Sequence, residues 1–320
     1  MRLRSITGAD LGRVLACTSD EPIGFIDPRL LRQRFADGQY RPGLTWIAEN
    51  GGQILARAVW WLPPGGAHPE ALDCLLADDS VPDRASLAEN LLGVAHAEFL
   101  DRGMRGLPAY HIFLPTGWRD RPDVAAALHW RQQAAQRAGL TGELERLRYE
   151  WTPAAGLPAR PGRLDFRPGP DDETFLAAFV RVAEGSLDAT TAEGTAAVGA
   201  HGQARDAMQY YLDMPGPRDW WRLAYTPQGS LAGLAIPSRN PDGPVVGYLG
   251  VVPELRGHGY VDDLLAEITH LLAAAGARWI QADTDLANRP MAAAFERAGY
   301  RNFAVRMVLS APRYGTQLFP

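Results

Sequence analysis

Two pairs of similar segments recur in the two halves of the chain, and an internal repeat restricts the possible folds more than any other feature of the sequence. Residues Trp46–Val59 are similar to Arg222–Ile236, and Gln136–Leu140 are similar to Glu296–Tyr300. Similar segments in the same sequence order indicate duplication of one folding unit. We therefore interpret the chain as two tandem copies of one α/β fold.

The hydrophobic pattern predicts the same order of elements in each copy, β-α-α-β-β-β-α-β-α-β. Alternating apolar residues predict the strands, and apolar residues at helical spacing predict helices such as 83–100. Asn50-Gly51-Gly52 predicts a tight turn between two strands of the first copy. Residues 152–162 are rich in proline and glycine and lack periodicity, which predicts a linker between copies at 1–151 and 163–320.

The stretch 245–265 of the second copy carries the clearest chemical signal. Residues 245–252 are apolar and β-branched, as expected of a strand that is buried on both faces, and Pro253 ends it. An arginine and two glycines follow before an amphipathic helix begins. Glycines let backbone N–H groups turn toward a ligand, and a helix N-terminus adds a positive dipole potential. The stretch therefore predicts an anion-binding cradle, with an ordinary strand-to-helix loop as the alternative.

These residues resemble the pyrophosphate loop of the GNAT (GCN5-related) N-acetyltransferases, whose pattern is Gln/Arg-x-x-Gly-x-Gly/Ala after a strand. Arg256 and Gly259 match the pattern, whereas Val261 stands where Gly or Ala is usual. Asn288 and the helix after it resemble a second motif of the family, although a plain helix N-cap is an equally good reading. The resemblance implies a tandem, two-domain form of the family, with a mixed, mostly antiparallel sheet flanked by helices in each copy.

The resemblance also implies acetyl-CoA as co-substrate, without a metal. In the family, backbone N–H groups of the central strand meet the pantetheine and the thioester, and the loop binds the diphosphate. The cofactor-binding residues expected by resemblance are Leu249, Gly250, Val251, Arg256, Gly257, His258, Gly259, Tyr260, Val261 and Asn288.

The catalytic residues are less defined, because Phe295 occupies the family's usual tyrosine position and Val245 stands near the usual glutamate. Tyr248 on the central strand could donate a proton, with a core tyrosine as the alternative. Asp283 and Asp285 could accept one, with capping or a loop hydrogen bond as the alternative. The helical segment that lines the family's acceptor site contains further unranked candidates, which are Glu184, Glu193, His201, Tyr210 and Tyr211.

The first copy differs at the loop that corresponds to the cradle. Residues 77–85 lack glycine and contain three aspartates, which would repel a pyrophosphate. We expect the first copy to be degenerate, either a structural half or a wall of the substrate cleft.

Composition narrows the function further. The net charge of −5 disfavours a nucleic-acid partner. Cys17 and Cys74 lack metal-ligand spacing and are expected to be buried free thiols in a reducing cytoplasm. No stretch is apolar for long enough to span a membrane, so we expect a soluble cytoplasmic protein. The chain contains no lysine and is rich in arginine, which suggests a GC-rich bacterial genome.

Together these features predict an acetyl-CoA-dependent N-acetyltransferase that acts on a primary amine, expected to be a small molecule. Two alternatives stay open. One is a non-catalytic acyl-CoA-binding or sensor protein, because the usual tyrosine and glutamate are missing. The other is an acyltransferase that uses another acyl chain or a hydroxyl acceptor.

Overall fold

The predicted order of elements occurs twice in the structure. The computed structural model describes residues 1–24, 27–62 and 66–312. The first series is β1 (Arg2–Ser5), α1 (Leu11–Ala16), α2 (Pro28–Ala36), β2 (Thr45–Asn50), β3 (Gln53–Trp61), β4 (Ala71–Ala77), α3 (Arg84–Asp101), β5 (Ala109–Pro115), α4 (Pro122–Arg137) and β6 (Gly142–Trp151). The second series is β7 (Asp165–Arg167), α5 (Asp172–Ala183), α6 (Ala189–Asp213), β8 (Arg222–Tyr225), β9 (Leu231–Asn240), β10 (Gly243–Val251), α7 (Tyr260–Ala274), β11 (Ile280–Asp285), α8 (Arg289–Arg297) and β12 (Arg301–Ser310).

The described chain forms two compact units. The first contains residues 1–145 and 305–312, and the second contains residues 146–304. The predicted division into copies at 1–151 and 163–320, with its linker, concerns the repeated sequence and stays a prediction.

Each unit has a mixed sheet in which most neighbours are antiparallel. In the first unit the order is β1-β2-β3-β4-β5, and β4 and β5 run parallel. In the second unit the order is β6-β11-β10-β9-β8-β7, where β6 contributes residues 146–151 and the pair β10–β11 is parallel. The predicted fold class is confirmed.

Helices cover both faces of the second unit's sheet. On one face α7 and α8 bury an apolar cluster against β11 and β6, and on the other face α5 and α6 bury a second cluster against β8 and β9. Each fully buried Leu, Ile or Phe contributes about 1.5–3 kcal/mol to stability. Leu264, Ile268 and Phe295 represent the first cluster, and Phe175 and Phe179 represent the second.

Two expectations about burial were wrong. Within β10 only Pro244 and Val246 are buried, and the second half of the strand is half-buried, because β11 runs beside only the beginning of this strand. Cys17 and Cys74 are free but half-buried, because both border a cavity in the first unit.

Candidate functional site

Strands β10 and β11 separate soon after they meet. The register within the described chain pairs Val245 with Gln281, while β10 continues to Val251. On its other side, β10 stays paired with β9 up to Val251, and the N–H of Val252 donates to the carbonyl of Ala232 at 2.9 Å. Hydrogen bonding alternates along an antiparallel strand, so the N–H groups of residues 249 and 251 point away from β9, into the gap.

A β-bulge at Gly247 lies at the start of this gap. The register of β10 with β9 shifts between Val246 and Tyr248, and such a bulge increases the local twist of a strand. The hydroxyl of Tyr211 donates to the carbonyl of Gly247 at 2.7 Å. A Cβ on Gly247 would lie 2.7 Å from the carbonyl oxygen of Ile236, so a side chain does not fit there without a shift. The glycine therefore permits the bend that accompanies the opening.

The loop between β10 and α7 presents unpaired backbone donors. Gly257 and Gly259 have φ values of +83° and +74°, which L side chains rarely adopt. Within the described chain, the N–H groups of residues 257–261 have no hydrogen-bond partner. Gly259 caps α7 without a side-chain hydrogen bond, so the helix N-terminus stays open to an anion. This geometry fits the predicted cradle.

Arg163 holds the opposite side of the same loop. Its guanidinium donates to the carbonyl of His258 at 3.0 Å and to that of Gly259 at 2.8 Å, and its Nε donates to Asp263 at 3.0 Å. Carbonyl and N–H groups of one trans peptide point in opposite directions, so these bonds direct the next N–H groups outward. The sequence analysis missed Arg163, because no local pattern connects it with the loop.

The two aspartates in the first turn of α7 are both paired with arginine. Asp263 is 3% exposed and contacts Arg163, and Asp262 accepts from Arg297 at 2.7 Å. Paired in this way, they repel a bound anion less than free carboxylates would.

The side chain of Arg256 turns toward the protein. It donates to the carbonyls of Val251, Gly185 and Val182 at 3.1, 3.0 and 2.9 Å. These bonds tie the loop to the segment that follows α5. Contact of the Arg256 side chain with the cofactor stays a prediction, and its observed bonds support the shape of the loop.

Asn288 caps α8. Its Oδ1 accepts from the N–H of Met291 at 3.4 Å, so the capping alternative is observed, and a cofactor contact stays a prediction.

Tyr248 faces α5 and α6, and its ring lies 5.1 Å from that of Phe179 and 6.0 Å from that of Tyr211. Burial raises the pKa of the Tyr248 phenol above its ordinary value, so the hydroxyl keeps its proton at neutral pH. A protonated phenol can serve as a proton donor.

The aspartates of β11 have arginine partners from β6. Nε of Arg148 lies 3.3 Å from Asp283, and Nε of Arg146 lies 2.9 Å from Asp285. Asp285 also accepts from the N–H of Ala189 at 2.6 Å, and burial raises the pKa of its carboxyl even though Arg146 opposes this effect. The sequence analysis missed these arginines, although a charged residue at every second position of β6 was a usable signal.

The other predicted positions are spread over the second unit. Val245 is half-buried at its pairing with Gln281, and Phe295 is buried and stacks on Tyr149 at 5.1 Å. Glu184, Glu193 and His201 are exposed, while Tyr210 and Tyr211 are half-buried.

A cavity of about 370 Å³ lies between the end of α5 and the first half of α6. Glu184, Gly185, Ser186 and Thr195 are among its lining residues, so one of the unranked acceptor-site candidates borders an open space. Gly185 also receives a hydrogen bond from Arg256, which connects this cavity to the cradle loop.

The corresponding loop of the first unit has no such cradle. Asp83 caps α3 by accepting from the N–H of Ser86 at 2.9 Å, and Asp78 accepts from the N–H of Ser80 at 2.9 Å. A carboxylate therefore already occupies the end of this helix, where an anion would otherwise bind.

The described residues show neither a cluster of metal ligands nor a membrane-spanning helix. They contain no group of three or more His, Cys, Asp or Glu side chains that could hold a metal ion. No helix among them is long and apolar enough to cross a membrane.

Residues 193–300 match the family model described as "Acetyltransferase (GNAT) family". A search of curated proteins found no significant match.

Three of the solved structures that match this chain are as follows. A GCN5-related N-acetyltransferase from Sphaerobacter thermophilus has 15% identity and a TM-score of 0.61, covering 99% of this chain and 97% of that chain. The glucosamine N-acetyltransferase region of a fungal multi-domain GH3 β-N-acetylglucosaminidase has 13% identity and a TM-score of 0.57. The match covers 96% of this chain and 38% of that chain. A tandem GNAT protein from the clavulanic acid biosynthesis pathway has 17% identity and a TM-score of 0.45. The match covers 98% of this chain and 100% of that chain.

Proposed function

We propose, from the match of residues 193–300 to the acetyltransferase (GNAT) family model, that the second copy transfers an acetyl group from acetyl-CoA to a primary amine of a small molecule. The observation that carries this proposal is the open cradle at Gly257–Val261, whose N–H groups have no partner in the described chain. Oriented N–H groups at a helix N-terminus suit a diphosphate.

The donor would be held at two places. The N–H groups of residues 257–261 would bind the diphosphate, and those of Leu249 and Val251 would lie along the pantetheine arm and the thioester. Acetyl-CoA supplies an activated acyl group when bound. Fixed N–H groups beside its carbonyl oxygen would stabilise the negative charge that develops during transfer.

The acceptor amine would enter from the cavity between α5 and α6. Glu184 on its lining gives this space an acidic residue, which attracts a cationic amine. The amine has to lose a proton before it attacks, and an amine with a pKa not far above neutral needs little help.

Tyr248 is our candidate for protonation of the leaving thiolate. A phenol is protonated at neutral pH, burial raises the pKa of this one further, and Tyr248 lies on the strand that borders the gap. Asp283 is our candidate for the general base. Arg148 pairs with its carboxylate and stabilises the charged form, which makes Asp283 a weaker base than a free carboxylate.

Binding is tested first, by calorimetry with acetyl-CoA. His258 is exposed in the cradle, so His258→Glu adds a negative charge without a change in the backbone glycines. We expect this variant to bind at least about tenfold more weakly, a loss of about 1.4 kcal/mol, and the matched control His258→Gln to bind nearly as wild type does. Ser80→Glu in the loop of the first copy should leave affinity unchanged. Equal affinity of His258→Glu and wild type would remove the donor assignment.

Turnover is tested second, as release of the CoA thiol in the presence of a panel of primary amines. Release that depends on the amine supports N-acetyl transfer. Tight binding of acetyl-CoA without thiol release, whichever acceptor is added, favours the non-catalytic sensor. Thiol release only with hydroxyl compounds, or only with longer acyl-CoAs, favours the other acyltransferase.

A further inference from the structure

The first unit contains a cavity of about 400 Å³ where β4 and β5 separate. These strands are paired at Ala71 with Ala109 and at Leu72 with Tyr110. The cavity begins at the last pair and extends beyond it, because its lining includes Tyr110 together with residues 73–76 of β4 and 111–112 of β5. Its size is within the range of about 300–1,000 Å³ that is typical of small-molecule sites.

Arg57 of β3 borders this cavity and is 2% exposed. Its guanidinium donates to the carbonyls of Val14 and Cys17 at 2.6 and 2.9 Å, and to Sγ of Cys74 at 3.4 Å. Within the described chain no carboxylate contacts it, and its Nε has no hydrogen-bond partner. Arginine stays charged at physiological pH, and a buried charge without a counter-ion is unfavourable.

Most other charged side chains around the cavity have an ion-pair or hydrogen-bond partner within the protein. Arg131 pairs with Glu21 at 2.6 Å, and Glu21 also contacts Arg84 at 3.1 Å. Asp73 accepts from the hydroxyl of Tyr40 at 2.5 Å, and Asp27 caps α2. Asp20 is exposed at the rim, where water and salt screen its charge. Arg57 is thus the buried cation of the lining that lacks an anionic partner among the described residues.

Part of the wall is apolar. Leu31, Leu75 and Ile112 line the cavity and are almost fully buried. An occupant that satisfies both parts of the lining has an acidic head for Arg57 and an apolar body for these side chains. Guanidinium binds planar carboxylates well, because it can present two parallel N–H groups.

We propose that this cavity binds a small organic carboxylate, whose acid group pairs with Arg57. The proposal concerns the first unit and does not depend on acyl transfer by the second. It gives the degenerate copy a ligand of its own, in the gap between two strands that lacks a diphosphate cradle.

The two cysteines provide the test, because the sequence contains no others and both line the cavity. The rate of alkylation of Cys17 and Cys74 by iodoacetamide is measured by mass spectrometry on the full chain, without acetyl-CoA. Benzoate serves as the carboxylate probe. Benzylamine, which has the same ring with a cationic group, and inorganic phosphate at equal ionic strength serve as controls.

We expect benzoate to slow alkylation of Cys74 at least fivefold and saturably, with little effect of benzylamine or phosphate. Arg57→Gln should abolish this protection, and Arg102→Gln, a change of an exposed arginine on the surface of the unit, should keep it. No protection by benzoate, or equal protection by benzylamine or phosphate, would overturn the proposal. If Arg57→Gln does not fold, the comparison of the three probes on the wild-type chain still decides whether the cavity selects a carboxylate.

Discussion

Arg163 and Asp263, one hundred residues apart in the sequence, form an ion pair at the first turn of α7. The same guanidinium donates to two carbonyls of the cradle loop, so one side chain both neutralises an acidic helix start and orients the loop. The cradle therefore depends on a residue that lies well outside its own sequence motif.

The first prediction concerns this arginine. Arg163→Gln should weaken acetyl-CoA binding about tenfold, because the loop carbonyls lose their donors and Asp263 is left as an unpaired buried carboxylate. Calorimetry measures the affinity. Arg167→Gln, which removes an exposed surface pair with Asp165, is the matched control and should bind as wild type does. Unchanged affinity of Arg163→Gln would show that the loop holds its shape without this residue.

The second prediction concerns the close approach of α5 to β10. A Cβ on Gly250 would lie 2.0 Å from Cγ1 of Val182, so Gly250→Ala should destabilise the protein by about 1–3 kcal/mol in urea unfolding. Val182→Ala in the same chain should recover part of that loss, which a double-mutant cycle measures. Gly93→Ala on α3 has open space around it and should be neutral or stabilising. Additive effects of the two changes would argue against this contact.

The third prediction concerns Tyr248. If its phenol protonates the leaving thiolate, Tyr248→Phe should lower kcat about a hundredfold or more and leave the KM for acetyl-CoA nearly unchanged. Steady-state kinetics with an amine found in the turnover assay measures both constants, and thermal unfolding checks that the fold persists. Tyr225→Phe on β8 is the control. A kcat within twofold of wild type would assign Tyr248 to the core alone.

The fourth prediction concerns pH and His96, which is 4% exposed on α3 and lies edge-on to Trp60 at 5.9 Å. Burial lowers the pKa of His96 from 6.5 to about 4, so between these values the unfolded chain binds a proton that the folded chain does not. Stability should therefore fall by up to about 3 kcal/mol as the pH decreases from 6.5 to 4. Urea unfolding at several pH values measures the slope, which His96→Leu should reduce. His129→Leu, exposed on α4, controls for removal of a histidine, and an unchanged slope in His96→Leu would refute this assignment.

The order of elements could be predicted from the sequence because it depends on neighbours along the chain. The turn at Gly51 and Gly52 adopts positive φ values, as the Asn-Gly-Gly motif predicted, and the strand and helix limits follow the apolar periodicity closely. The position of the turn between β10 and α7 was also predictable, because glycines at 257 and 259 permit the positive φ values that this turn adopts. The burial of β10 could not be predicted from the sequence, because it depends on how many of its residues pair with β11.

The sequence by itself determined the duplicated α/β order and the place of the glycine loop, because periodicity and turn chemistry act over a few residues. Only the tertiary structure decided which charges meet: Arg163 with the loop carbonyls, Arg146 with Asp285, and Arg57 with no carboxylate among the described residues. All 32 basic residues are arginine, so residue type alone could not distinguish a clamp from a surface charge. Packing brings together residues that are far apart in the sequence, and the partners that each arginine meets there decide whether it holds a loop, pairs with a buried aspartate or stays without a carboxylate.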